Sequence, residues 1–99
     1  METGRYFEWD DDKAESNFRK HGIRFEEAVF AFDDPFAIVE QDRVENGEQR
    51  WQTLGTVRGF LLLMVAHTVR LEDDPAREVI RIISARHADR KERRRYEHG

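Results

Sequence analysis

One uninterrupted apolar run, residues 60–66, constrains the fold of this 99-residue chain more than any other feature. The run has the length of a strand and falls well short of the ~20 residues that a membrane-spanning helix needs. Successive side chains of a strand point to opposite faces of a sheet, and this run is apolar at both parities. It therefore predicts a central strand that is buried on both faces.

Four segments with strand patterns follow one another in the second part of the chain. They are residues 36–40, 50–54, 60–69 and 79–84, and turn signals separate them at residues 45–48, 58–59 and 73–75. Parallel neighbours would need crossovers of about a dozen residues or more. The short connections therefore favour an antiparallel meander.

The first third of the chain predicts a short strand followed by two helices. Residues 6–9 alternate as a strand does, and the aspartates at 10–12 supply a cap and negative charge for a helix that ends at His21, before Gly22. Residues 25, 28, 29 and 32 are apolar with helical spacing, which predicts a second helix over residues 23–32.

The last helix is predicted over residues 89–97, where arginine and lysine are dense and Tyr96 is the one large apolar contact. The predicted order is β-α-α-β-β-β-β-α. We expect an α+β fold in one domain spanning residues 1–99, with helices packed on an antiparallel sheet.

Composition narrows the possible functions. The chain has no cysteine, which excludes disulfides and thiolate metal sites, and its first residues lack the apolar core of a signal peptide. We expect a soluble cytoplasmic protein. Residues 1–75 carry nine Lys/Arg against seventeen Asp/Glu, whereas residues 76–99 carry eight against four. A basic end on an acidic body is either a phosphate-binding patch or a solvated helix face.

Arg81 interrupts an otherwise apolar face of the last predicted strand, which strict alternation forms from residues 79, 81, 83 and 85. A desolvated guanidinium needs an anion, either an internal carboxylate or the phosphate of a ligand. A hairpin symmetric about residue 74 would place His67 opposite Arg81 on the same face, where the pair would suit phosphodiester chemistry. That inference depends on the assumed register.

Lys20 and His21 close the first helix. Both either satisfy its free carbonyl groups or provide a general base. The four histidines show no paired metal-ligand spacing, and no phosphate-binding glycine loop is present. We therefore expect neither a metal nor a cofactor. The basic residues of the last helix are either solvated or follow an RNA backbone, and the candidates for RNA binding are Arg90, Lys91, Arg94 and Tyr96.

Taken together, these residues resemble the BrnT family of toxins along nearly the whole chain. The pieces that carry the resemblance are Phe7-Glu8-Trp9-Asp10 with Lys13 and Asn17; Lys20-His21-Gly22; Phe25-Glu26-Glu27-Ala28 with Phe32-Asp33-Asp34; Arg50 with Gly55; Arg81-Ile82-Ile83-Ser84-Ala85-Arg86; and Glu92-Arg93-Arg94 with Tyr96-Glu97.

The resemblance implies a RelE-like ribonuclease fold, translation arrest through RNA cleavage, and neutralisation by a BrnA-type antitoxin with a ribbon-helix-helix DNA-binding part. It also implies that the toxin–antitoxin complex represses its own operon. Carried over by position, the candidate active residues are Lys20, His21, Arg81 and Arg86, to which the register argument adds His67. His67 or Tyr96 is the candidate proton donor. The competing hypothesis is a binding module without enzymatic activity, whose basic C-terminal segment docks a partner protein or operator DNA.

Overall fold

The computed structural model of the chain describes residues 4–73 and 75–99. A five-stranded sheet has the order β1-β5-β4-β3-β2, and helices pack on both of its sides. This confirms the α+β class. The strands are β1 (Gly4–Glu8), β2 (Ile38–Glu45), β3 (Glu48–Val57), β4 (Leu61–Asp73) and β5 (Ala76–His87); the helices are α1 (Asp11–His21), α2 (Phe25–Ala28) and α3 (Arg90–His98), with a 3₁₀ segment at Val29–Asp33.

The predicted central strand is confirmed, because β4 lies in the middle of the sheet and its residues 62–65 are buried. Strands β2 to β5 form the expected antiparallel meander. The prediction of a wholly antiparallel sheet is wrong, since β1 pairs with β5 in parallel. The meander leaves β5 exposed at one edge, and the long connection from β1 to β5 permits the parallel pairing.

Two hairpins are built as their turn residues predict. Asn46 and Gly47 both have positive φ, at 54° and 77°, as do Arg58 and Gly59, at 58° and 78°. The first pair forms a two-residue turn between the paired Glu45 and Glu48, of the type whose twist matches that of a hairpin. The second pair belongs to a three-residue loop, because Val57 pairs with Leu61. In the third turn, residue 74 lies outside the described residues. Asp73 and Ala76 are the paired strand residues on either side of this turn.

The predicted second helix is shorter than expected. The chain stays extended at Arg24, four residues form α2, and the path then tightens into the 3₁₀ segment. That segment packs against β3 at Gly55, where a Cβ atom would collide with the carbonyl oxygen of Ala31. Close packing of backbone on backbone therefore replaces the regular helix that the apolar spacing predicted.

Two apolar clusters hold the layers together. The larger one, on the side of α1 and α2, contains Phe25, Val65 and Ile82 and buries all three almost completely. The smaller one lies under α3, where Tyr96 packs against Leu54, Leu62 and Met64. We call the two sides of the sheet the α1 side and the α3 side.

Candidate active site

Helix α1 holds Lys20 and His21 in its last turn, at a position fixed from both ends. The Asp10 side chain accepts a hydrogen bond from the Lys13 N–H at the start of the helix, and Gly22 ends it with a φ of 73°. Both ends have the residues that the sequence predicted for them.

Asn17 attaches α1 to the sheet. Strand β1 ends opposite Arg81, so the rest of the β5 edge has no strand beside it. The buried Asn17 amide takes the place of a strand there: its Nδ2 donates to the Ala85 carbonyl at 2.8 Å, and its Oδ1 accepts from the Ala85 N–H at 3.0 Å. The Nδ2 group also donates to the Ile23 carbonyl at 3.0 Å, which fixes the chain after the helix.

This attachment leaves a polar cleft of about 200 Å³ between α1 and β5, which we call the α1–β5 cleft. Its titratable lining residues, Lys13, Lys20 and His21, are all basic. Such a lining attracts an anion and suits proton transfer at a phosphate ester. The complete lining is Lys13, Ser16, Asn17, Lys20, His21, Ile83 and Ser84.

A β-bulge changes which residues of β5 share a face. Ala66 pairs with Ser84 but the next residue, His67, pairs with Ile82, so Ile83 is the extra residue. Ala85 consequently lies in the α1-side core together with Ile82. The predicted strict alternation over residues 79–85 is therefore wrong beyond Ile82.

The bulge also brings the functional candidates of β5 to one side. Arg81, Ser84 and Arg86 pair with Thr68, Ala66 and Met64 of β4, which alternate onto the α3 side. Ser84 belongs to the α1–β5 cleft as well. The cleft thus meets the α3 side of the sheet at Ser84, between the two arginines in sequence.

Arg81 is bound to an internal carboxylate, but not exclusively. Its Nη1 donates to Glu8 Oε2 at 3.3 Å, whereas Arg70 makes two shorter bonds to Glu8, at 2.9 and 3.1 Å. Hydrogen bonds from Arg70 and, to a smaller extent, from Arg81 hold the pKa of Glu8 below its ordinary value, against the opposing effect of burial. The Arg81 side chain remains 42% exposed, so donors are left for a second anion.

Arg86 is held more firmly. Its two terminal nitrogens donate to both carboxylate oxygens of Glu92 at 2.8 Å, and Glu92 also closes the capping box at the start of α3. The guanidinium of Arg86 is the main cause of the lowered pKa of Glu92. The carry-over from the family names Arg86 as an active residue, and its contacts here attach α3 to the sheet.

The predicted pairing of His67 with Arg81 is wrong. His67 pairs with Ile82 and lies on the α1 side, only 2% exposed. Its Nδ1 lies 3.4 Å from the Thr68 carbonyl oxygen and its Nε2 lies 2.7 Å from Thr53 Oγ1. Burial lowers the pKa of His67 to about 4. This neutral imidazole is buried on the opposite face of the sheet from Arg81 and does not line the α1–β5 cleft.

The candidates on α3 fall into two groups. Arg90, Lys91 and Arg94 are exposed, and their role in RNA binding stays a prediction. Tyr96 is half-buried in the smaller core, and its hydroxyl group donates to Asp34. That hydrogen bond is the first cause of the raised pKa of Tyr96. Tyr96 therefore contributes to the packing of α3, and these contacts do not favour its predicted role as the proton donor.

Sequence reasoning missed several residues near the candidate site. Lys13, Ser16 and Ser84 line the α1–β5 cleft, and Arg70 shares Glu8 with Arg81. Spacing offered a signal for Lys13, which lies seven residues before Lys20 and hence on the same helix face. Ser84 gave no such signal, because its place depends on the bulge.

The described residues form neither a metal site nor a helix that could span a membrane. Within residues 4–73 and 75–99, no group of three His, Asp or Glu side chains could hold a metal ion. No helix in the same ranges combines the length and the apolar character required to cross a bilayer.

Comparison with known families decides the relationship. A profile described as the ribonuclease toxin BrnT of type II toxin–antitoxin systems matches residues 9–92. The chain belongs to the BrnT family. It is therefore classed with ribonuclease toxins of type II toxin–antitoxin systems, whose toxins have an antitoxin partner and an RNA target.

A solved BrnT-family structure supports the fold. The 1.1 Å crystal structure of the Brucella abortus ribonuclease toxin BrnT is 23% identical in sequence, with a TM-score of 0.64. The match covers 89% of this chain and all of the other. A comparison with curated proteins finds no significant match.

Proposed function

We propose that this BrnT-family chain is a metal-independent endoribonuclease that acts in the α1–β5 cleft. A base, Lys20 or His21, removes the proton of a ribose 2′-hydroxyl, whose oxygen attacks the adjacent phosphorus. The bond from phosphorus to the 5′-oxygen of the next nucleotide breaks. The products are a 2′,3′-cyclic phosphate and a 5′-hydroxyl.

The observation that carries the proposal is the position of Lys20 and His21 against β5. They line the cleft together with Ser84, which lies on the strand face of Arg81. The Arg81 side chain is not part of the cleft lining, but Arg81 precedes Ser84 by three residues on the same strand, so the proton acceptors and the guanidinium belong to neighbouring parts of β5. The positive charge of the guanidinium can stabilise the negative charge that develops on the phosphate, so the proposed reaction does not require a metal ion.

We assign the charge-stabilising role to Arg81. Glu8 orients its guanidinium through a single hydrogen bond, and the rest of the group remains available to the non-bridging phosphate oxygens. Arg86 adds positive charge on the same face, although its own hydrogen bonds go to Glu92. We expect Arg86 to act chiefly by holding α3 in place.

The proton donor to the leaving oxygen comes from the same pair that supplies the base. Tyr96 and His67 are engaged with Asp34 and Thr53 respectively. Lys20 and His21 are adjacent in sequence and line one cleft. One of them can remove the first proton while the other, in its charged form, supplies the second.

In the cell, RNA cleavage by this chain would arrest translation. The proposed antitoxin is of the BrnA type, with a ribbon-helix-helix part, and the complex of both proteins would bind operator DNA. The proposed location of both is the cytoplasm. Family membership supports the existence of an antitoxin and an RNA target.

The test is RNA cleavage by the purified chain in EDTA. We expect the wild type to cut RNA and Arg81→Ala to lose about 10²- to 10³-fold in rate, the range observed when one charge-stabilising donor is removed. Arg43→Ala, which removes an exposed arginine of β2, is the matched control and should retain full activity. Equal activity of all three proteins would refute the assigned site. An inactive wild type would refute the proposed ribonuclease and favour the competing hypothesis of a binding module without enzymatic activity.

A further inference from the structure

Lys13 and Ser16 continue the polar face of α1 along the α1–β5 cleft. With Asn17 and Lys20 they follow helical spacing, so these residues share the side of α1 that approaches β5. Asn17 explains why this side must be partly polar, because it supplies the bonds to Ala85. The anchoring role of Asn17 does not account for the polar side chains of Lys13 and Ser16 on the same face. Within the described ranges, these two side chains make no hydrogen bond or ion pair.

Ser84 faces the two helix residues from the sheet. The bulge at Ile83 and the end of β1 leave this part of β5 open, and Ser84 lines the cleft there. In the part of the chain that the structure describes, its hydroxyl group has no hydrogen-bond partner either. Lys13, Ser16 and Ser84 therefore add an ammonium group and two hydroxyl groups to a cleft that already contains Lys20 and His21.

The chemistry of the cleft indicates an anion. The chain as a whole is acidic, with a net charge of −4, yet each titratable residue that lines this cleft is basic. An ammonium group and hydroxyl groups are donors that suit the non-bridging oxygens of a phosphodiester. The cleft, of about 200 Å³ and open to solvent, has room for a phosphate group.

We propose that Lys13, Ser16 and Ser84 form a phosphate-binding subsite for RNA. The proposal rests on the proposed function, since it assigns the bound group to the RNA that Lys20 and His21 act on. Lys13 is a binding residue, which holds the backbone without taking part in proton transfer. Binding through one phosphate carries no base specificity, so the subsite positions RNA of any sequence.

The experiment measures binding separately from cleavage. A fluorescent, fully 2′-O-methylated RNA lacks the attacking hydroxyl group and cannot be cut by the proposed reaction. Its affinity for the wild type, Lys13→Ala, Lys13→Arg and Arg19→Ala is measured by anisotropy over a series of salt concentrations. Arg19→Ala is the matched control, because it removes an exposed positive charge from the same helix outside the cleft.

We expect Lys13→Ala to bind this RNA about tenfold more weakly, the loss expected for one charge-assisted hydrogen bond. The slope of log affinity against log salt should fall by about 0.7, the value for one phosphate contact to a single strand. Lys13→Arg should restore most of the affinity, and Arg19→Ala should change it less than Lys13→Ala does.

Equal affinities for Lys13→Ala and Arg19→Ala would overturn the subsite, as would a wild type that does not bind this RNA. Cleavage of unmodified RNA is measured in parallel. A wild type that binds RNA through Lys13 but does not cut it would refute the proposed function and leave the phosphate subsite standing. The two failures are therefore distinguishable.

Discussion

At the scale of single residues, the site depends on where each polar group finds its partner. Glu8 divides its hydrogen bonds between Arg70 and Arg81, and the larger share goes to Arg70. Arg81 is thereby oriented without being saturated. His67 is the opposite case, since the folded core encloses it and removes it from solvent.

The buried His67 should make stability depend on pH. Its pKa is about 4 in the folded chain and about 6.5 when solvated, so the unfolded chain takes up the proton first as pH falls. Stability should therefore decrease from about pH 6.5 down to about pH 4, by roughly 3 kcal/mol in total. Urea unfolding at several pH values between about 5 and 7 measures the free energy of unfolding. This range lies above the pH at which most Asp and Glu side chains titrate.

His67→Gln provides the comparison, because its side chain is polar but does not titrate. The variant should lose most of the wild-type dependence between pH 5 and 7. The same decrease in both proteins would mean that other groups cause it.

The caps of α1 and the position of His67 show what a sequence can and cannot predict at this scale. The caps Asp10 and Gly22 were predicted correctly, because each depends on a few neighbouring residues. The position of His67 depended on the register of a hairpin, and the strands pair Asp73 with Ala76 beside the turn, which places Thr68 rather than His67 opposite Arg81. A difference of one residue in hairpin register changes which residues face each other and leaves little trace in composition.

At the scale of elements, the site is made by the meeting of one helix with an incomplete sheet edge. Strand β1 stops at Glu8, and Asn17 of α1 takes over the edge bonds at Ala85. The side chain that anchors the helix also fixes the width of the cleft beside it.

Asn17→Ala should lower the free energy of unfolding by about 2–3 kcal/mol, because it leaves buried backbone groups of Ala85 without partners. Chemical denaturation measures the loss. Glu15→Ala, at an exposed position on the same helix, is the control and should change stability by no more than about 0.5 kcal/mol. Similar stabilities of the two variants would contradict the anchoring role of Asn17.

Periodicity predicted elements best where packing is regular. The meander and α3 agree with the patterns that predicted them, although Asp89 proves to be the cap of α3 rather than its first helical residue. The parallel pairing of β1 and the 3₁₀ segment were not predictable in this way. Both arise from contacts between distant parts of the chain, such as the approach of Ala31 to Gly55.

At the scale of the whole molecule, the acidic body and the basic C-terminal quarter meet around the sheet. Strand β5 carries Arg81 and Arg86 from the basic part, while α1, from the acidic part, presents Lys13, Lys20 and His21 to the same strand. The local sign of charge in the cleft is thus opposite to that of the chain as a whole. This contrast is the physical basis of the proposed RNA site.

The most direct test of the central claim is the chemistry of the cut itself. The position of cleavage in a short RNA is mapped with the wild type in EDTA, and the same RNA is then prepared with a 2′-deoxy nucleotide at that position. We predict a 2′,3′-cyclic phosphate and a 5′-hydroxyl from the RNA, and no cut at the deoxy position. Cleavage of the deoxy substrate at that position, or a 5′-phosphate on the product, would contradict attack by the ribose hydroxyl.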